Sequence, residues 1–130
     1  MATPLRIIPL GGLGEVGKNM TAFEYGKNII LIDCGIMFPE NDMLGIDFII
    51  PDWSYLRDKR DIIRGIIITH GHEDHTGGLP YLLKEFPEIP VFATKLTRGL
   101  IEVKLKSHKI LDDARLNTIE AGGHLDLGPF

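Results

Sequence analysis

The segment ITHGHEDHTGG, residues 68–78, carries His70, His72, Asp74 and His75 within six positions. It directly follows a short β-branched run that is apolar on both faces, which predicts a buried strand. Alternate residues of an extended segment project to the same side, so the imidazoles of His70 and His72 can share one metal ion. Asp74 and His75 follow the turn and can face a second ion. Imidazoles with a carboxylate suit Zn²⁺ or Mn²⁺ better than Ca²⁺, so the segment predicts a transition-metal site.

The alternative for this segment is a polar, solvated loop between a strand and a helix. That interpretation is sufficient for the isolated histidines His108 and His124. It does not account for four ligand-type side chains in six positions directly after a buried strand. The sequence therefore favours a metal site at residues 70–75.

Along the rest of the chain, apolar periodicity predicts both strands and helices. Strands are predicted at residues 5–10, 21–25, 28–33, 64–70, 91–93 and 117–119, and helices at residues 52–61, 78–86 and 96–107. Asp52 is placed to cap the first helix. The third helix has apolar residues at Leu96, Leu100 and Val103, and Ser107 continues this spacing, which is typical of a helix side that faces a core.

The glycines of residues 12–17 form the pattern G-x-G-x-x-G directly after a predicted strand. A dinucleotide site needs a helix to begin at these glycines, because the N–H groups of its first turn hold the pyrophosphate. The following residues are instead β-branched and aromatic and contain the turn Gly26-Lys27, which favours a β-hairpin. Asp33 lies where a ribose-binding acid is expected, but without the helix it means little. We favour glycines that serve a tight turn; the remaining alternative is a loop that packs beside an active site and leaves room for a ligand.

The composition is typical of one globular domain, with 130 residues of which 44% are hydrophobic and 25% charged. No apolar run approaches the ~18 residues that a membrane helix needs, and the first residues lack the pattern of a signal peptide. The single cysteine, Cys34, excludes an internal disulfide and fits a reducing cytosol. A net charge of −4 gives no general reason to expect a polyanion partner. We therefore expect a cytoplasmic protein without a membrane partner.

Three weaker features have a structural and a functional interpretation, and we favour the structural one for each. Cys34 is expected to pack beneath the site rather than to bind metal or act as a redox thiol. The basic segment at residues 95–109 is expected to be a solvated helix face rather than a contact to RNA phosphates. Trp53 and Tyr55 are expected to pack in or around the core rather than to stack on bases.

Three segments together resemble the ribonuclease J family, a β-CASP branch of the metallo-β-lactamase superfamily: LGGLGEVGKNM, LIDCGIMFPENDMLGIDFIIPD and ITHGHEDHTGGLPYLL. The motif H-x-H-x-D-H after a strand, with an earlier strand that ends in Asp33, specifies the superfamily. The glycine-rich segment and the MFPE…LGID…IPD segment specify the ribonuclease J branch. The resemblance runs through residues 10–83 and continues more loosely to the end. It implies an α/β (α+β) fold, the first half of an αββα sandwich, with a mixed β-sheet and flanking helices.

The resemblance also implies roles for individual residues. His70 and His72 would bind the first of two Zn²⁺ (or Mn²⁺) ions, and Asp74 and His75 the second. Asp33 would orient the histidines without binding metal itself. Asp74 would also be catalytic, because it is placed to orient the attacking water or to accept its proton. The implied reaction is two-metal hydrolysis of a phosphodiester.

Members of the family also carry a structural Ca²⁺ at a loop that matches residues 42–47, and the implied donors are the backbone carbonyls of Leu44 and Ile46. The family completes its dinuclear site with two further histidines and a bridging aspartate, which cannot be matched in residues 1–130. His124 lies too early for the first of these histidines. We therefore expect residues 1–130 to be the N-terminal part of a metallo-β-lactamase domain, without the family's β-CASP and C-terminal domains, and to be poorly active or inactive alone.

The expected function is that of a metal-dependent ribonuclease, a 5′–3′ exonuclease and endonuclease that hydrolyses RNA in maturation and decay. One alternative is a small-molecule hydrolase of the same fold, a thioesterase or lactonase, and another is a non-catalytic assembly module. Half of a sandwich leaves one sheet face and one edge without partners, so we also expect a homodimer or higher homo-oligomer.

Overall fold

The computed structural model of the chain describes residues 2–39 and 44–130, and its centre is one mixed six-stranded β-sheet. The strands are β1 (Leu5–Gly11), β2 (Met20–Tyr25), β3 (Asn28–Ile32), β4 (Ile63–Ile67), β5 (Pro90–Ala93) and β6 (Arg115–Thr118). They lie in chain order across the sheet; β1, β2 and β3 pair antiparallel, and β3 to β6 pair parallel. The predicted hairpin at Gly26 and the predicted mixed α/β fold are therefore confirmed.

Three helices accompany the sheet: α1 (Glu73–Thr76), α2 (Leu79–Glu85) and α3 (Lys95–Ser107). Both longer helices follow the prediction closely, whereas α1 lies inside the histidine motif and was not predicted. Within the described ranges, no helix combines the length and the apolar character that crossing a membrane requires.

The helix predicted at residues 52–61 is wrong, because the structure has two 3₁₀ turns there, Ser54–Leu56 and Arg60–Ile62. Trp53 and Leu56 are both buried, and a spacing of three residues places them on the same side of a 3₁₀ turn. Contacts to α2 hold this segment, since Trp53 Nε1 donates to a Glu85 carboxylate oxygen at 2.7 Å. Trp53 rather than the predicted Asp52 is the N-cap of the first turn; the Asp52 carboxylate accepts the Ser54 N–H at 3.0 Å from just before it, and this bond lowers the pKa of Asp52.

One face of the sheet is closed by the helices. Strand pairing places a row of apolar residues on this face: Ala22, Leu31, Ile66 and Val91. All four are buried, and they share one cluster with side chains of the two longer helices, among them Leu79, Leu82, Phe86, Ile101 and Leu105. We call this face the closed face.

The opposite face, which we call the open face, is only partly covered. Pairing places Ile7 opposite Phe23 and Phe23 opposite Ile30, and Ile67 lies opposite Phe92. Ile7 is 60% exposed, and the other four are half-buried. One apolar face of the sheet is therefore incompletely covered, and whether the chain is half of a sandwich stays a prediction.

The apolar spacing in α3 predicted the wrong side of the helix. The side chains that α3 buries are Thr97, Ile101 and Leu105, whereas Leu96, Leu100 and Val103 are exposed. Both sets recur at intervals of three or four residues, so periodicity alone does not say which set meets the sheet. The position of α3 over β5 and β6 decides it, and leaves an apolar stripe facing outward.

Candidate metal centre

The histidine motif folds into a tight turn after β4, and we call residues 70–78 the His/Asp turn. His72 is extended (φ −71°, ψ 149°) and immediately precedes α1. Its carbonyl accepts the backbone N–H groups of both His75 and Thr76 at 2.9 Å, and also the Thr76 hydroxyl. The chain therefore reverses within one helical turn, so that residues before and after His72 face the same space.

The turn brings three ligand-type side chains into one group. Ligand atoms of His70, Asp74 and His75 all lie within 4.8 Å of one another. The rings of His70 and His75 have centroids 4.0 Å apart, and the exposed His72 ring lies edge-on to His70 with centroids 4.7 Å apart. The sequence paired His70 with His72 and Asp74 with His75; in the structure, His70 groups instead with Asp74 and His75.

Asp33 orients this group from beneath. It is buried, has a left-handed backbone (φ 63°), and its carboxylate accepts the Thr69 N–H and the Thr69 hydroxyl, each at 2.7 Å. His75 Nδ1 lies 2.7 Å from the same carboxylate, so its N–H donates to Asp33. This bond leaves His75 Nε2 free to bind an ion.

Thr69 fixes the ring of His70 as Asp33 fixes that of His75. Thr69 was not identified from the sequence as a residue of the site. The Thr69 hydroxyl has one proton, which it donates to Asp33, so it can only accept a hydrogen bond from His70 Nδ1 at 3.0 Å. His70 is thereby held with Nε2 free, as His75 is. The only signal in the sequence was a hydroxyl residue directly before the motif.

A network of backbone bonds caps α1 from behind. In this four-residue helix only the Glu73 carbonyl accepts a helical bond, from the Gly77 N–H at 2.8 Å, and the later carbonyls need partners from outside. The structure supplies them: Cys34 N–H donates to His75 at 2.9 Å, and Ile36 N–H also donates to Glu73, at 3.0 Å. The Asp74 carbonyl accepts both the backbone and the side-chain N–H of Asn19, at 3.1 and 3.0 Å. The residues that carry Asp74 and His75 are thus fixed by two other loops.

One of those loops is the glycine loop, residues 11–19. It leads into β2 rather than into a helix, so the dinucleotide interpretation has no structural support and the predicted turn between strands is confirmed. Gly12 (φ 86°) and Gly17 (φ 97°) allow the chain to turn back. The loop ends at Asn19, whose carbonyl accepts the Gly35 N–H at 3.0 Å. The glycine loop therefore supports the His/Asp turn from the side.

The weaker candidates behave as packing residues. Cys34 is fully buried beside Gly78, and burial together with the Asp33 carboxylate raises the pKa of its thiol. Trp53 is buried, and the Tyr55 hydroxyl donates to Glu24 at 2.6 Å. Leu44 and Ile46, the implied calcium donors, are exposed, and residues 40–43 of that loop lie outside the described residues.

The donor set fits a divalent transition metal. Two imidazoles have Nδ1 occupied by hydrogen bonds and Nε2 free, and Asp74 Oδ2 lies 3.5 Å from His75 Nε2. The fold and this site define the class of protein: an α/β protein with a mixed sheet, in which the His/Asp turn follows the carboxyl end of a parallel strand. The family model of the metallo-β-lactamase superfamily matches residues 13–105. The chain belongs to this superfamily, which together with the donor group implies a divalent metal site.

Within the superfamily, the chain is similar to ribonuclease J proteins. It is 49% identical over 113 residues to ribonuclease J 1 of Streptococcus pyogenes serotype M3, a match that covers 87% of this chain and 20% of that protein. It is 43% identical to ribonuclease J of Synechocystis sp., over 95% of this chain and 19% of that protein. The chain therefore spans about a fifth of the length of these curated relatives.

Solved structures share the fold at lower identity. A B3 metallo-β-lactamase with an active-site glutamic acid aligns with a TM-score of 0.56 and 21% identity, covering 96% of this chain and 49% of that one. The short form of human tRNase Z aligns with a TM-score of 0.51 and 17% identity, covering 89% of this chain and 52% of that one. These likenesses confirm the architecture.

Proposed function

We propose that this chain supplies the metal-binding part of a ribonuclease that hydrolyses RNA phosphodiesters, with both 5′–3′ exonuclease and endonuclease action. The observation that carries the proposal is the group His70, Asp74 and His75, with ligand atoms within 4.8 Å, on a turn fixed by the glycine loop. The similarity to ribonuclease J proteins extends over 87% of the chain for one relative and 95% for the other, and supports RNA as the substrate.

We assign two Zn²⁺ or Mn²⁺ ions to the site, held by His70, His72, Asp74 and His75. When bound, such ions lower the pKa of water and neutralise charge on the phosphate. Asp33 fixes the ring of His75, and Thr69 fixes that of His70, so both present Nε2 without rearrangement. Asp74 is half-buried next to the histidines that would hold the ions. It would orient the attacking water or accept its proton.

A structural calcium, proposed from the family resemblance alone, and a cytoplasmic location are further parts of the proposal. A structural Ca²⁺ would use the backbone carbonyls of Leu44 and Ile46. A cytoplasmic location is supported by the lone cysteine of the chain, Cys34, which is a buried thiol. We propose that residues 1–130 are the N-terminal part of a larger metallo-β-lactamase domain, and that alone they turn over RNA poorly.

Metal and substrate assays test the proposed function. We expect the purified chain to bind Zn²⁺ or Mn²⁺, and His72→Ala and Asp74→Ala to weaken that binding at least about tenfold through loss of a ligand. His124→Ala is the matched control, because His124 is exposed, pairs with Asp126 at 2.9 Å and is not part of the ligand group. With excess chain over end-labelled, 5′-monophosphorylated RNA, we expect slow, metal-dependent cleavage that both variants lose.

Two results would contradict this proposal. A chain without affinity for divalent metal would remove its basis, and faster hydrolysis of a thioester or lactone than of RNA would favour the small-molecule alternative. Multiple turnover at about 10 s⁻¹, an ordinary enzyme rate, would refute only the expectation that these residues alone are poorly active.

We also propose that the chain forms a homodimer or higher homo-oligomer through the open face. Ile7 is 60% exposed on the edge strand β1, and half-buried Phe23 and Ile30 continue the apolar row. Light scattering should show a mass above that of one chain. Ile7→Lys should lower this mass, because it places a charge on the edge strand. Val103→Lys, at an exposed position of α3, should leave it unchanged. A monodisperse wild-type monomer would contradict this.

A further inference from the structure

Helix α3 touches the His/Asp turn at two points. A Cβ atom at Gly71 would lie only 2.4 Å from Leu100 Cδ1, so the Leu100 side chain rests directly on the backbone between His70 and His72. One helical turn further on, Lys104 Nζ forms an ion pair with the carboxylate of Glu73. Leu100 and Lys104 are four residues apart and therefore lie on the same side of α3.

Two residues on the outward-facing side of α3, Leu100 and Lys104, therefore have partners in the His/Asp turn. Leu100 was predicted to face the core, and the basic residues at 95–109 were predicted to be a solvated face. Leu100 instead covers Gly71, and the Lys104 side chain is only 20% exposed because it reaches Glu73. Lys106, two residues on, is exposed.

We propose that Lys104 is a positioning residue of the metal site, which holds α1 through Glu73 so that Asp74 and His75 keep their places. The inference rests on one part of the proposed function, namely that the His/Asp turn binds metal.

The need for such a tie follows from the length of α1. A helix of four residues is a single turn and has almost no stability of its own. Its carbonyls are bonded by Asn19, at the end of the glycine loop, and by Cys34 and Ile36, in the loop after β3. Glu73 is the first residue of α1 and Asp74 is the next, so a bond from Lys104 to Glu73 limits how far α1 can pivot about those carbonyls.

Charge alone would have the opposite effect on metal affinity. Lys104 is a cation near a place where cations bind, so removing its charge leaves Glu73 uncompensated and favours a divalent ion by simple electrostatics. If Lys104 acts by position, its removal weakens metal binding instead. The sign of the change therefore separates the two roles.

The experiment measures Zn²⁺ affinity of the purified chain by competition with a chelating dye, and Co²⁺ absorption as a check on ligand geometry. We expect Lys104→Met to weaken Zn²⁺ binding about 3- to 10-fold, less than loss of a ligand, because the pair is partly exposed. Lys106→Met removes the same charge from the same helix and should leave affinity unchanged. Lys104→Arg should retain most of the affinity, because it keeps the ion pair.

A double-mutant cycle with Glu73→Gln completes the test. We expect Glu73→Gln combined with Lys104→Met to bind Zn²⁺ no more weakly than Glu73→Gln alone, with thermal unfolding confirming that each variant is folded. Equal affinities for Lys104→Met and Lys106→Met, tighter binding by Lys104→Met, or additive losses in the double variant would overturn the proposal while the metal site stands. A wild-type chain that binds no divalent metal would overturn the proposed function as well.

Discussion

The glycine loop and the His/Asp turn are both rich in glycine, yet their glycines do different work. Gly12, Gly14 and Gly17 of the glycine loop have positive φ angles, so they allow the chain to turn. Gly77 and Gly78 of the His/Asp turn have ordinary φ angles of −63° and −85°, and their value is the absence of a side chain where neighbours come close. The first set allows the glycine loop to change direction, and the second allows neighbouring loops to pack closely against the His/Asp turn.

Exposure differs in the same way between the tip of the glycine loop and the end of the His/Asp turn. At the tip of the glycine loop, Leu13 is 78% and Val16 is 89% exposed, and a Cβ at Gly14 would meet nothing within 4 Å. In the His/Asp turn, Thr76, Gly77 and Gly78 are buried. A pattern typical of ligand binding thus lies in a supporting loop, and the group of ligand-type side chains lies in the turn that it supports.

The closest approach to the His/Asp turn is made by Gly35, in the loop after β3, and there we expect the largest effect. A Cβ there would lie 1.7 Å from the Asp74 carbonyl oxygen, which is backbone and cannot move aside cheaply. Gly35→Ala should lower the free energy of unfolding by about 3 kcal/mol or more and weaken metal binding. Urea denaturation measures the first effect, and Zn²⁺ titration the second.

Gly99→Ala is the matched control for Gly35→Ala. Gly99 lies inside α3 with nothing within 4 Å of an added Cβ, so alanine there should raise the unfolding free energy by about 0.5–1 kcal/mol. Two substitutions of equal chemistry should therefore have opposite signs. A Gly35→Ala variant as stable as the wild type would refute the close approach.

The next largest effect is expected at Asp33, which acts on the His/Asp turn through side chains rather than backbone. Asp33→Asn keeps the shape but removes the negative charge that accepts from His75 and Thr69. Metal affinity should fall about 10-fold or more, as for other partners of ligating histidines. Asp126→Asn is the control, since Asp126 lies 2.9 Å from the exposed His124 and should leave metal binding unchanged. Equal metal affinity in both variants would show that Asp33 does not orient the site.

The smallest effect is expected in the glycine loop itself. Gly14 has φ 71° and open space around it, so Gly14→Ala should cost about 1 kcal/mol of stability through backbone strain alone. Gly14→Asn should recover part of that loss, because asparagine tolerates left-handed geometry, whereas Gly35→Asn should recover none of the loss at Gly35. Thermal or urea unfolding of the four variants measures this, and a rescue at both positions would erase the distinction between turning and contact glycines.

Much of the fold was accessible from the sequence. The hairpin around Gly26, the buried strand before the histidine motif and the two longer helices were predicted, because periodicity and turn residues are local signals. The packing role of Cys34 was also predicted and is confirmed by its complete burial. The errors, the helix at residues 52–61 and the buried side of α3, arose where contacts with another element outweigh local pattern.

By itself, the sequence determined that His70, His72, Asp74 and His75 would meet near the end of a buried strand, because ligands so close along the chain cannot be far apart in space. Only the tertiary structure decided which of them group together and what holds them there. Asp33 reaches Thr69 across 36 positions, Lys104 reaches Glu73 across 31, and Asn19 reaches Asp74 across 55. Such pairs leave no periodic trace in the chain, since they arise from the order in which the strands and helices pack.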